Sequence, residues 1–144
     1  MINTIDSFNK EYFFLSNFKL CEVIYEDEKY KSVEHAYVAA KTTDLVIREI
    51  VRNLDTPADA KKYGRQITLR DDWDKIKLNA MESLLRQKFK KGSELAKKLI
   101  DTWGYDLVEG NTWGDTFWGI CGGKGKNYLG KILMRIRGEL ITGE

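Results

Sequence analysis

The chain has 144 residues, 42% of them hydrophobic and 32% charged, with a formal net charge of +2. That length buries a core without disulfides or metals, and the near-balance of charge excludes recognition of nucleic acid or membrane by net electrostatics alone. Two distant cysteines and a single histidine exclude a structural zinc site, and no stretch approaches the roughly 20 apolar residues that cross a bilayer. Residues 1–6 carry an acid and no apolar run, so no secretory leader is expected there and a reducing, cytoplasmic setting fits best.

Residues 8–31 read as the extended part of the chain. Phe8, Tyr12, Phe13, Phe14 and Phe18 cluster around Leu15-Ser16-Asn17-Phe18, and most of these rings belong in a core. Asn17 differs, because an amide flanked by core residues must find hydrogen-bond partners or a ligand. Residues 21–25 and 29–31, separated by the acidic turn Glu26-Asp27-Glu28, predict a β-hairpin. Ser32 then caps a helix over residues 33 to about 42. Glu34 and Lys41 are seven residues apart and share one face of it, about 10 Å apart along the axis, with Tyr37 and Val38 between them. By spacing alone, ordinary charge complementarity at the two helix ends accounts for both. His35 faces another way and reads as a packed or capping residue.

Residues 44–54 place Val46, Ile47, Ile50, Val51 and Leu54 at helical spacing. Thr56, Pro57 and Asp59 open a short helix that should stop at Gly64. Arg65 and Arg70 lie in the loop that follows, available to an anion or to solvent. Asp71 or Asp72 caps the longest helix, 73 to about 90, with Trp73, Ile76, Ala80, Leu84 and Phe89 in its apolar stripe. A helix over 94–103, a strand over 105–109 and a last helix over 128–138 complete the series.

Residues 110–127 interrupt it. They are too rich in glycine for a helix and too rich in Trp, Phe, Asp and Lys for a linker, and read as the wall of a small-molecule pocket. Asp115, between Trp113 and Trp118, either bonds a sugar or base beside a stacking ring or simply holds the turn. The stretch 122–127 enters a helix directly, which offers backbone N–H groups and two lysines to a phosphate, although the register is not that of a Walker A loop.

Together these pieces resemble the NADAR (YbiA-like) family. Leu15-Ser16-Asn17-Phe18 and Ser32-Val33-Glu34-His35-Ala36-Tyr37 with Lys41 match its first half, and Trp73-Asp74-Lys75-Ile76-Lys77 with Met81, Leu84 and Lys88-Phe89 its middle. Leu107-Val108-Glu109, Asp115-Thr116-Phe117-Trp118-Gly119 and Gly125-Lys126-Asn127-Tyr128-Leu129-Gly130-Lys131 match its end, followed by Leu133-Met134-Arg135-Ile136-Arg137. The resemblance runs from residue 8 to residue 140. It implies a mainly helical α+β fold with a small N-terminal antiparallel β element, as a single domain over 1–144. The activity implied is an N-glycosidase on ribose-phosphate compounds, either ADP-ribose attached to guanine or early phosphorylated intermediates of riboflavin synthesis.

The resemblance also implies catalytic roles for Glu34, Lys41 and Asp115. It implies substrate-binding roles for Asn17, Phe18, Tyr37, Trp73, Trp118, Gly119, Lys126 and Asn127, with no metal and no cofactor. The partner it implies is the ribosyl conjugate itself, with ADP-ribosylated DNA or RNA as a macromolecular form, and neither a membrane nor an obligate protein partner. Val38 departs from the family, where many relatives carry glutamine.

Two mechanisms follow. A carboxylate stabilises the cationic sugar while another group protonates the base, or Lys41 attacks C1 as a neutral amine and forms a Schiff base. The second requires burial of Lys41 to outweigh its neighbouring carboxylate. A non-catalytic reader of ADP-ribose is the competing class. A plain nucleic-acid-binding domain would need a basic stripe, which the evenly spread lysines and acids do not form.

Overall fold

The computed structural model describes residues 3–143. The chain runs β1 (Asn3–Ile5), a 3-10 helix (Lys10–Leu15), β2 (Leu20–Tyr25), β3 (Glu28–Ser32), α1 (Val33–Ala39), α2 (Leu45–Arg52) and α3 (Pro57–Gly64). It continues through α4 (Trp73–Lys88), α5 (Glu94–Asp101), β4 (Tyr105–Leu107), β5 (Gly110–Asn111), β6 (Ile120–Cys121) and α6 (Tyr128–Thr142). This is an α+β protein, mainly helical, with its strands in short pairs. Among the described residues no helix is long and apolar enough to cross a membrane. Residues 17–88 pack into one unit, and residues 3–16 with 89–143 into another.

In the unit of residues 17–88, β2 and β3 form the expected antiparallel hairpin. Its turn is only Glu26-Asp27, both left-handed with φ of 46° and 72°, and Glu28 is already paired with Tyr25. Two left-handed residues match the right-handed twist of the flanking strands, which a type I or II turn would splay. Helix α1 packs on both strands and on α2, α3 and α4, so Val33, Ala36, Tyr37, Val38 and Ala39 are all buried. The Ser32 hydroxyl accepts from the His35 N–H at 3.1 Å, as an N-cap should.

Helix α2 corrects the apolar stripe read from its spacing. Asp44 caps it, but Val46 and Ile50 are exposed while Arg48 is buried. The cause is tertiary. Arg48 donates to the Thr42 carbonyl at 2.8 Å and to Glu26 Oε1 at 2.6 Å, and its guanidinium lies 5.2 Å from the Tyr25 ring centroid. A satisfied guanidinium on an apolar stem packs inside, and the helix turns to place it there.

In the other unit, residues 10–15 are helical rather than extended, so the run 8–31 is not uniformly strand. β1 pairs in parallel with β4, Asn3 opposite Tyr105 and Ile5 opposite Leu107. Helix α6 packs on β4 and α5, burying Leu129, Ile132, Leu133 and Ile136. Arg137 on the same helix reaches Thr102 and the Tyr105 carbonyl, at 3.0 Å and 2.9 Å, and ties the end of α5 to the start of β4. The glycine-rich stretch also contains a short parallel ladder, β5 against β6.

Candidate active site

Lys41 lies just beyond the helix expected to carry it. α1 ends at Ala39, and N–H groups of Lys41 and Thr42 bond the carbonyls of Val38 and Ala39 at 3.1 Å and 3.3 Å. These tighter three-residue bonds close the last turn and bring the chain to Asp44, the cap of α2. The Lys41 ammonium stands 5.9 Å from the Tyr37 ring centroid, and the Tyr37 ring lies 5.2 Å from that of buried Trp73. Tyr37, one of the aromatic positions implied by the family resemblance, thus sits beside the lysine, with Trp73 packed against it.

The electrostatics of Lys41 meet the condition for a nucleophilic amine in direction. Burial lowers its pKa below the ordinary lysine value, and the pull of Glu34 in the opposite sense is the smaller effect. Arg65 and Lys61 push in the same direction as burial. Gly64 explains how α3 comes so close. A Cβ at residue 64 would lie 3.1 Å from both methyls of Val38 and 3.4 Å from Lys41 Nζ. The helix stops at Gly64 as the sequence predicts, but its φ is not left-handed, so close packing on α1 is what calls for glycine. Val38 is buried, and its methyls form this contact.

Asn17 and Phe18 belong to the same unit. The Asn17 carbonyl accepts from the Glu34 N–H at 3.2 Å, which places the asparagine at the start of α1. Its side-chain Nδ2 donates to Met81 Sδ at 3.6 Å, and among the described residues its buried Oδ1 has no hydrogen-bond partner. A buried acceptor left without a donor is costly, and a ligand hydroxyl would satisfy it. Phe18 carries the Lys61 ammonium 5.8 Å from its ring centroid.

His35 has a structural role. Its Nε2 donates to the Leu54 carbonyl at 3.0 Å and its Nδ1 lies 2.7 Å from Ser32 Oγ, with burial lowering its pKa. A second amine, Lys88 at the end of α4, is 3% exposed, and burial pushes it down to about 7. Nothing in its helical spacing distinguishes it from a solvated lysine.

Asp115 Oδ1 accepts from the N–H groups of Phe117 and Trp118 at 3.1 Å and 2.9 Å, so one carboxylate oxygen holds the turn. Asn111 is the brace that sequence reasoning missed. It donates to Glu109 Oε2 at 3.0 Å and to the Asp115 carbonyl at 2.8 Å, and accepts from the Asp115 N–H at 3.0 Å. Trp118 packs edge-on against Phe117 at 4.8 Å, Gly119 is buried, and Trp113 is exposed. Lys126 is exposed at its end, 5.9 Å from the Tyr128 ring centroid.

The entrance to α6 narrows one expectation. The N–H groups of Lys126, Asn127, Tyr128 and Leu129 donate to the carbonyls of Thr116, Gly119, Phe117 and Trp118 at 2.8–3.3 Å. The helix start is therefore closed by the loop's own backbone and offers none of these donors to a phosphate. Asn127 is left-handed, with φ of 51°. Its side chain accepts from the Glu109 N–H at 3.0 Å and donates to the Leu107 carbonyl at 2.9 Å. Asn127→Ala removes both bonds, one of them buried, while leaving a residue that resists positive φ, so we expect a loss of about 2–4 kcal/mol, read by denaturant unfolding.

The family model for the NADAR domain matches residues 5–141. The N-glycosidase YbiA of Escherichia coli is 36% identical over 146 residues, covering 97% of this chain and 91% of that protein. The NMR structure of YbiA superposes with a TM-score of 0.84 at 35% identity, over 99% of this chain and 88% of that one. The riboflavin biosynthesis protein VVA0006 of Vibrio vulnificus is 36% identical over 130 residues, 88% of this chain but only 35% of that longer protein.

Proposed function

Since the chain belongs to the NADAR domain family, we propose that it is an N-glycosidase that hydrolyses the ribose C1–N bond of a phosphorylated ribosyl conjugate. The observation that carries this reading is Lys41, an amine held below its ordinary pKa by burial despite the neighbouring Glu34. In the proposed reaction the neutral Nζ attacks C1 and the base departs with the C1–N electron pair and a proton. Opening of the sugar ring then gives an imine between Nζ and C1, and water hydrolyses it to the free sugar and the free amine. Glu34 is suited to steady the positive charge on the sugar and to pass protons, and Asn17 Oδ1 to accept from a ribose hydroxyl. Asp115 and Trp118 keep the site roles that the family resemblance implies.

ADP-ribose on guanine is the first substrate we propose. A phosphorylated riboflavin intermediate is the second, favoured by the naming of VVA0006 as a riboflavin biosynthesis protein. Offering both conjugates side by side to the wild type and to Lys41→Ala separates them. We expect free base to appear from at least one with the wild type and from neither with the variant. Tight binding without any release of base by the wild type would make the protein a reader rather than an enzyme.

A further inference from the structure

A substrate of this class carries a negative charge, and the obvious place for it, the N-terminus of α6, is closed by the carbonyls of residues 116–119. Cations gather instead on the far side of Gly64. Lys61 and Arg65 are four residues apart, and therefore neighbours on one face across the last turn of α3. Gly64 lies between them, and its contact with α1 puts that face against Lys41 Nζ, 3.4 Å from where a Cβ would stand. Phe18 fixes the other end of the row, beneath the Lys61 ammonium at 5.8 Å.

Cations in the last turn of a helix complement its dipole, and this accounts for Lys61, Lys62 and Arg65 in general. It does not account for two of them standing near a third cation, Lys41, just beyond the end of α1. Like charges so close repel, and both lower the Lys41 pKa. A bound anion would relieve that repulsion. Arg65 also differs in exposure from two other arginines of this unit. Arg48 is occupied by Thr42 and Glu26, and Arg70 is held by Asp72 in a two-bond contact, whereas Arg65 stays exposed.

Resting on the reading of Lys41 as the glycosidic amine, we propose that Lys61 and Arg65 bind the 5-phosphate of the ribose whose C1 faces Lys41. One sugar ring separates C1 from that phosphate, so a single row of side chains serves both groups. Both candidate substrates carry a phosphate at this position. Selection then follows the sugar phosphate, and the base is the variable part. The product sugar phosphate should also bind.

The test uses ribose 5-phosphate, ribose and inorganic phosphate as probes of the full chain by calorimetry, together with kcat and KM on the conjugate. Ribose 5-phosphate should bind and ribose should not, with inorganic phosphate weaker. Arg65→Gln and Lys61→Gln should each weaken ribose 5-phosphate about tenfold, the scale of one charge-assisted contact, and raise KM by a similar factor. Lys62→Gln, in the same helix turn and exposed, should change neither. Equal losses in all three variants, or ribose binding as well as its phosphate, would overturn the assignment. If the wild type bound ribose 5-phosphate through Arg65 yet cleaved no conjugate, the glycosidase reading would fall and the phosphate site would stand.

Discussion

Replacing Lys41 with alanine should reduce turnover by at least about 10³-fold, because a nucleophile that forms a covalent intermediate has no substitute in the site. Lys41→Arg should not rescue it, since guanidinium stays protonated throughout the working range. Borohydride added during turnover should trap the sugar on the wild type and map to the peptide containing residue 41. The mapping matters because Lys88 is a second amine of low pKa, about 7, and a label there would count against the mechanism.

The pH profile follows from the same geometry. The attacking form is the neutral amine, so kcat/KM should rise with pH through the Lys41 pKa, below the ordinary lysine value because of burial. Glu34 pulls that value up, whereas Arg65 and Lys61 push it down. Glu34→Gln should therefore move the acid limb to lower pH, and Arg65→Gln should move it to higher pH. Opposite shifts in two stable variants are hard to produce by a general loss of structure.

Gly119→Ala should be a severely damaging substitution in the loop. An added Cβ would fall directly on the Glu109 carbonyl oxygen and carboxylate, and 2.8 Å from Asn111 Nδ2. Backbone is on one side of the clash, so no rotamer change relieves it. The Ile120 N–H bonds that same Glu109 carbonyl at 2.9 Å, and the Asn127 N–H bonds the Gly119 carbonyl at 3.3 Å. A shift at Gly119 thus disturbs the β5–β6 pairing and the start of α6 together. We expect at least about 3 kcal/mol of destabilisation, a fall in Tm of about 10 °C by calorimetry. Adding Glu109→Ala should not restore stability, because it removes the carboxylate and leaves the carbonyl. Full recovery in the double variant would show the side chain to be the whole obstacle.

Elements whose cause is local were readable from the sequence. Ser32, Thr56 and Pro57 mark helix starts through their own side chains, and the acidic hairpin turn lies one residue from where its composition puts it. Features set by distant groups were not. The Arg48 side chain is inside because the Thr42 carbonyl and Glu26 receive it, and a periodic pattern of Val46 and Ile50 carries no trace of either. The β1–β4 pairing joins segments about a hundred residues apart, beyond the reach of any alternation rule.

For the candidate site, spacing placed Glu34 and Lys41 near one another, but only helix packing reveals Lys61 and Arg65 beside the amine. The loop's composition flagged a special segment. It did not show that the N–H groups at the start of α6 are taken by residues 116–119, because glycine-rich entries to helices look alike whether they hold an anion or their own backbone.

The pairing of β1 with β4 also sets an order of events during synthesis. Residues 17–88 are contiguous and can fold as soon as they leave the ribosome. Residues 3–5 cannot pair until residues 105–107 have been made, about a hundred residues later. At ordinary translation rates that interval is about 5–20 s, during which the first strand has an open edge and the aromatic segment behind it, Tyr12 to Phe14, is without its unit. Until then residues 3–5 are open to chaperones and to mispairing, although they are made before the strand they pair with.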